Sequence, residues 1–218
     1  MRRDTAETVK GRGELAWEPE WDVHVFHAFL KCLDPDCHGT VSCHGMSTIW
    51  ENSHYEVEEE DRFVDCIEPK NFYPSINYFK ISDKYPERVK EHLSRSFSSY
   101  WNDLASSLNA LRTAVEAILD DQGIESKDIR SKPIFLVRRI EIYMDLHKDT
   151  MNSDLFAALR IVGNEGSHSN NEPIEDYFVM RAFDMTEILL KSLYDDREKT
   201  ARAYAKSIVD ARKPPKIE

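Results

Sequence analysis

The sequence predicts a mainly α-helical protein, an antiparallel helical bundle preceded by a small antiparallel β-meander. Three observations carry that expectation. From Val89 onward, apolar residues recur at steps of three and four. All four cysteines and five of the eight histidines fall before residue 70. The charge is divided the same way: residues 1–70 carry 7 Lys and Arg against 16 Asp and Glu, a net of −9. The remaining residues carry 22 against 24, close to neutral.

Four segments follow from that division. Residues 1–16 are polar and are expected to be a flexible N-terminus. Residues 17–80 form a small Cys- and His-containing β-rich module. Within it, Thr40-Val41-Ser42 and Thr48-Ile49-Trp50 flank Gly45, and Tyr55–Val57 and Phe63–Cys66 flank acidic residues, as short strands joined by turns would. Residues 81–196 form the bundle. Pro86 suits a first helical turn, and Val89, Leu93, Phe97, Trp101, Leu104, Leu108, Leu111, Val115 and Ile118 share one stripe. The spacing predicts a single helix of about 35 residues, ended by Gly123 in a left-handed cap. A linker over Glu125–Lys132 leads to a second helix marked by Ile134, Val137, Ile140, Tyr143 and Met144. Ser153-Asp154 caps a third that stops at Gly163. Pro173 opens a fourth through Tyr177, Phe183, Leu189 and Leu193. Residues 197–218 are a charged helical tail.

Composition excludes several functions. The seven glycines make neither Gly-x-Gly-x-x-Gly nor a phosphate loop ending in Gly-Lys-Ser/Thr. No apolar run is long enough to span a bilayer. The polar start Met1-Arg2-Arg3-Asp4 is no export leader, so a cytoplasmic location is expected. A net charge of −11 argues against a broad electrostatic grip on nucleic acid.

Two constellations point to chemistry. Cys32-x4-Cys37 places two thiols on a proline turn, which lowers the ordering cost of a tetrahedral zinc site. Cys43 and His44 are the candidates to complete it, with His27 and Cys66 in reserve; a structural zinc would make the module zinc-ribbon-like. Against zinc stands the reading of four separate small buried hydrophobes. The second constellation is Leu159-Arg160-Ile161-Val162-Gly163-Asn164-Glu165-Gly166-Ser167-His168. A glycine-bearing turn here presents Asn164, Ser167 and His168, and histidine is the natural proton shuttle for attack by a ribose 2′-hydroxyl on phosphate. The charge that builds on phosphoryl oxygens calls for an arginine. Arg160 is nearest, while Arg112, Arg138 and Arg139 lie on other helices. Arg112 and Glu116 make an i,i+4 pair beside the apolar stripe. The plainer reading of Gly163-Asn164 is ordinary helix-stop chemistry, with His168 satisfying a backbone carbonyl.

An ordered set of motifs resembles the DUF4145 family, a bacterial domain of unknown function grouped with the HEPN superfamily. The set comprises Trp17-Glu-Pro-Glu-Trp21, Phe26, Cys32-x4-Cys37, Phe72-Tyr-Pro74 and Tyr85-Pro-x-x-Val89. It continues with Trp101-x-Asp103, Leu111-Arg112-x-x-x-Glu116 and Gly163-Asn164-x-Gly166-Ser167-His168. The resemblance implies a HEPN-like bundle, often a homodimer, associated with restriction, toxin–antitoxin and other antiphage loci. Catalytic HEPN proteins are metal-independent RNases that use an Arg-x4–6-His motif. Carried over, His168 matches the histidine and Asn164 the polar residue, but Gly163 stands where the arginine belongs, and Arg160 lies one turn earlier. The expected function is therefore a non-catalytic binding module for a partner protein, a nucleotide or RNA. Arg112, Glu116, Ser167 and Arg139 are its candidate binding residues. The alternatives are an endoribonuclease using His168, Asn164 and Arg160, and a purely structural dimer.

Overall fold

The computed structural model describes residues 1–18, 21–33, 35–36, 38–51, 63–166 and 173–212. The chain divides into two compact units, Met1–Ile76 and Asn77–Glu218.

The first unit is a four-stranded antiparallel sheet in the order β1-β2-β3-β4. The strands are β1 (Arg2–Asp4), β2 (Val23–Lys31), β3 (Thr40–Glu51) and β4 (Phe63–Tyr73), with helix α1 (Ala6–Gly11) after β1. The residues expected to be a flexible tail are thus built into the fold. Arg2, Arg3 and Asp4 pair with Phe26, Val25 and His24. Thr5 caps α1 by accepting from the Thr8 amide at 3.2 Å. Gly11 lies under Trp17, where a Cβ would sit 2.0 Å from the indole ring.

Gly45 is likewise not a turn. Thr40 to Glu51 is one continuous strand, and the pairing with β4 shifts register between His44 and Gly45. A Cβ at Gly45 would meet the Glu68 carbonyl oxygen at 2.1 Å, so this bulge needs glycine for close backbone approach rather than for chain reversal. The expected strand at Tyr55–Val57 lies outside the described residues.

The second unit is helical: α2 (Glu87–Tyr100), α3 (Leu104–Asp121), α4 (Leu136–His147), α5 (Thr150–Glu165), α6 (Asp176–Tyr194) and α7 (Asp196–Ala211). Its core joins Val89, Leu93 and Phe97 of α2 to Leu108, Val115 and Ile118 of α3. Phe156 of α5 and Phe183 and Leu189 of α6 complete it. Aromatic contacts tie these layers together. Phe97 meets Phe79 and Phe183 edge-on at 5.0 Å each, and Tyr143 meets Phe156 at 4.9 Å.

The single long helix expected from Val89 to Ile118 is two antiparallel helices. Asp103 takes an extended backbone conformation and accepts from the Ser106 amide at 3.0 Å, which starts α3 afresh. These Ser106 hydrogen bonds also hold the Asp103 carboxyl below its ordinary range. The apolar stripe runs through the break because the antiparallel helices fold the same face onto themselves. Buried serines mark their closest approach. The Ser96 hydroxyl donates to the Ser107 carbonyl at 2.7 Å, and Ser107 returns the bond to the Ser96 carbonyl at 2.9 Å.

Other boundaries move for similar local reasons. Lys148 ends α4 in the left-handed conformation, and Asp149, not Ser153, caps α5 by accepting from the Asn152 amide at 3.2 Å. α5 does not stop at Gly163 but runs to Glu165. Pro173 precedes α6 by three residues. An extended Asp195 separates α7 from α6. Gly123 does take φ +77°, the left-handed cap.

Candidate functional site

The site is built on α3, with α2 on one flank and α5 on the other. Gly163 is buried against Arg112; a Cβ there would stand 2.8 Å from the Arg112 Cβ. Three residues on, a Cβ at Gly166 would meet the Ala105 carbonyl at 2.7 Å and the Leu108 Cβ at 3.0 Å. The Asn109 side-chain amide donates to the Gly166 carbonyl at 3.0 Å, closing the end of α5 onto α3. These two glycines are close-approach residues that let one helix lie in the groove of the other. Because Gly166 meets α3 near Leu108 and Gly163 meets it at Arg112, the helices run antiparallel. One turn further back, Arg160 falls level with Glu116.

Arg112 Nε lies 3.4 Å from Glu116, with both side chains partly exposed. On α2, residues 88, 92, 95 and 99 line the side facing 120, 116, 113 and 109 of α3. Arg88 bonds Asp120 at 2.9 Å. His92 follows one turn on, its Nδ1 buried and without a hydrogen-bond partner among the described residues. Burial and the cations of Arg95 and Arg88 push its pKa down, outweighing the opposing carboxylates of Glu91 and Glu116. The imidazole is therefore neutral at neutral pH. Beyond it, Arg95, Ser99, Ser106, Asn109 and Thr113 line a groove of about 340 Å³. No hydrogen bond or ion pair joins Arg95 or Arg160 to any described residue. Arg95 is the one guanidinium lining this groove. The Thr113 hydroxyl donates to the Asn109 carbonyl at 3.0 Å, the Ser106 hydroxyl to Asp103 and the Asn109 amide to Gly166, while Arg112 lies against Gly163 on the α5 side of α3. A guanidinium in a polar groove can pair with an oxyanion such as phosphate.

Of the candidate residues, Arg112 and Glu116 pair on α3 where Gly163 of α5 packs, and Arg160 and Asn164 lie on α5 either side of Gly163. Ser167 and His168 lie outside the described residues. Arg139, expected among the binding residues, lies elsewhere. It is 3% exposed and donates to Asp120 at 2.6 Å and to the Ile124 carbonyl at 2.6 Å, so its charge fastens the end of α3 to α4 and cannot reach a ligand. His92 and Arg95 escaped the sequence reading. Their signal, a polar i, i+3/i+4 row on α2, acquires meaning only once α2 and α3 are seen as a hairpin.

Of the expected zinc ligands, three lie within the described residues. Cys32 is exposed and Cys37 lies outside the described residues. Cys43 is buried opposite Ala28 and Phe72, and burial pushes its thiol pKa up. His44 is the next residue on the same strand and points to the other face, opposite His27. Cys66 is exposed on β4. Among the described residues no three His, Cys, Asp or Glu side chains form a group able to hold a metal ion. Nor does the row Asp4, His24, Ser47 across β1, β2 and β3 make a nucleophile triad. Both ring nitrogens of His24 are engaged, one 3.1 Å from Asp4 and the other 2.7 Å from Arg2.

Fold and site together define a helical-bundle protein with a small antiparallel sheet unit ahead of it and a polar groove along its α2–α3 hairpin. The chain belongs to the DUF4145 family of domains of unknown function, whose model matches residues 94–207. Residues 1–76 match a separate family, DUF8608, also a domain of unknown function, and that match ends where the sheet unit ends. The motifs from Trp17 to Pro74 therefore belong to this second family. No curated protein matches the chain, and no solved structure does. No helix among the described residues is long and apolar enough to cross a membrane.

Proposed function

We propose that this protein is a non-catalytic, HEPN-like binding module, and that the groove between α2 and α3 holds the phosphates of RNA or a nucleotide. The observation that carries this reading is the place of Gly163. The position that matches the motif arginine is an interior helix residue pressed against Arg112, with room for no side chain at all. An arginine there would force α5 off α3, so the bundle and the standard catalytic motif are incompatible in this chain. What the groove keeps is the binding half of the chemistry, with the Arg95 guanidinium in the groove and Arg112 and Arg160 adding positive charge from the α5 side of α3.

A homodimer acting in the cytoplasm within a bacterial defence or regulatory system is the setting that fits this module. The discriminating experiment incubates single-stranded RNA with wild-type protein and with His168→Ala in EDTA. Both leave the RNA intact, while filter binding retains it. RNA degradation by the wild type that His168→Ala abolishes would overturn the proposal in favour of a ribonuclease with a rearranged arginine.

A further inference from the structure

The sheet of the first unit has one closed face and one open one. His24, Cys43, Ser47 and Phe72 share the closed face and are buried. Successive residues of a strand alternate between faces, so Val25, Phe29, Met46 and Trp50 lie on the other, joined by Val64 and Tyr73 of β4. All six are exposed, Phe29 by 73%, Trp50 by 63% and Tyr73 by 78%. Three aromatic side chains this bare present roughly 400 Å² to solvent. Val25, Met46 and Val64 extend that area towards the roughly 800 Å² that each partner buries in a standard interface. A contiguous patch of this size marks a contact surface.

The charges on the open face fit a second copy of the chain. One row crosses all four strands: Arg3 pairs with Val25, Val25 with Met46 and Met46 with Glu68. A cation thus stands at one edge, a carboxylate at the other, and two apolar side chains between them. No hydrogen bond or ion pair joins Arg3 to any described residue. Glu68 meets Lys70 yet keeps 64% of its side chain exposed. When two copies lie face to face, a two-fold axis along the strands reverses the row in one of them. Arg3 of each copy then stands against Glu68 of the other, Val25 lies on Met46, and the bulky Phe29 covers the small Ser42. We infer that the chain dimerises through this face, as a two-sheet sandwich with the strands of the copies aligned. The inference rests on the homodimer of the reading above, names its interface, and does not depend on the α2–α3 groove.

The test is sedimentation velocity of the full chain at tens of micromolar, with circular dichroism confirming that each variant is folded. Wild type sediments as a dimer. Arg3→Glu and Glu68→Arg each set like charges against one another and weaken self-association about tenfold. The two reversals combined restore it, which a merely damaged sheet would not do. Phe29→Asp, at a position exposed within one chain, separates the copies. A dimer that neither single reversal weakens, or that the double reversal fails to restore, overturns this interface and leaves the homodimer reading standing. A wild-type monomer overturns both. If that monomer loses single-stranded RNA binding in Phe29→Ala, the open face belongs to nucleic-acid bases rather than to a second copy.

Discussion

At the centre of the helical unit, Val89, Leu93, Leu108, Val115, Ile118 and Phe156 are fully buried. The sheet unit instead buries Asp22, His24 and Ser47 beside Cys43 and Phe72. Its strands are laced by charge. Arg2 bridges Asp65 and His24, His24 meets Asp4, and Arg12 joins Asp4 to Asp22, whose carboxylate also accepts from the Trp17 indole at 2.9 Å. The helical unit is therefore held chiefly by apolar burial, which is insensitive to pH. The sheet unit rests on a network in which buried Asp22 and His24 are paired with half-exposed partners, so it is partly screened by salt. The same contrast separates two kinds of arginine. Arg139 is a buried strut, while Arg95 lines the groove with no partner among the described residues.

The largest expected effect lies in the apolar unit. Phe156→Ala removes a ring that touches Tyr143 and lowers unfolding free energy by about 3–5 kcal/mol. Denaturant titration followed by helical circular dichroism checks it, and a loss below about 1 kcal/mol would break the contrast.

A smaller and pH-dependent effect belongs to the sheet. The Arg12 guanidinium holds the Asp22 carboxyl below its ordinary range. Its folded value thus lies under its unfolded one. The contribution to stability is complete above the unfolded carboxylate value, near 4, and is lost as the pH falls through the folded value. Sheet signals are expected to weaken on acidification below about pH 4, and Asp22→Asn should remove much of that dependence while lowering Tm at pH 7. An unchanged acid profile in Asp22→Asn would assign the sheet's stability to burial instead. Smallest is Asp103→Ala, which deletes the cap dividing α2 from α3 and costs about 1 kcal/mol. It leaves the groove aligned, so an equal loss of RNA binding would show that the hairpin depends on this one cap.

The helical stripe was legible in the sequence, since burial follows the steps from Val89 to Ile118 except at Trp101, beside the break. Its division was not. Phe97, Trp101, Leu104 and Leu108 keep helical phase through a break made by one Asp103 side chain. Gly163 illustrates a deeper limit. Helix-stop and close-approach glycines look alike until the facing residue is known, and that residue, Arg112, lies fifty-one positions away. The burial of Arg139 is not readable from its own segment, because its partners, Asp120 and the Ile124 carbonyl, lie at the end of α3. At the N-terminus, three charged residues read as a tail because a strand of that length has no period to detect, although β2 supplies the edge on which it pairs. The Arg112–Glu116 pair was legible, as i,i+4 spacing fixes it wherever α3 points.

Fluorescence anisotropy with a labelled single-stranded RNA tests the central claim most directly, comparing Arg95→Gln in the groove with Arg181→Gln on α6. Wild type and Arg181→Gln should bind alike. Arg95→Gln should bind several-fold more weakly and show a shallower dependence on salt, as loss of one phosphate contact requires. Equal affinity and equal salt dependence for all three proteins would contradict the assignment of the α2–α3 groove as the binding site.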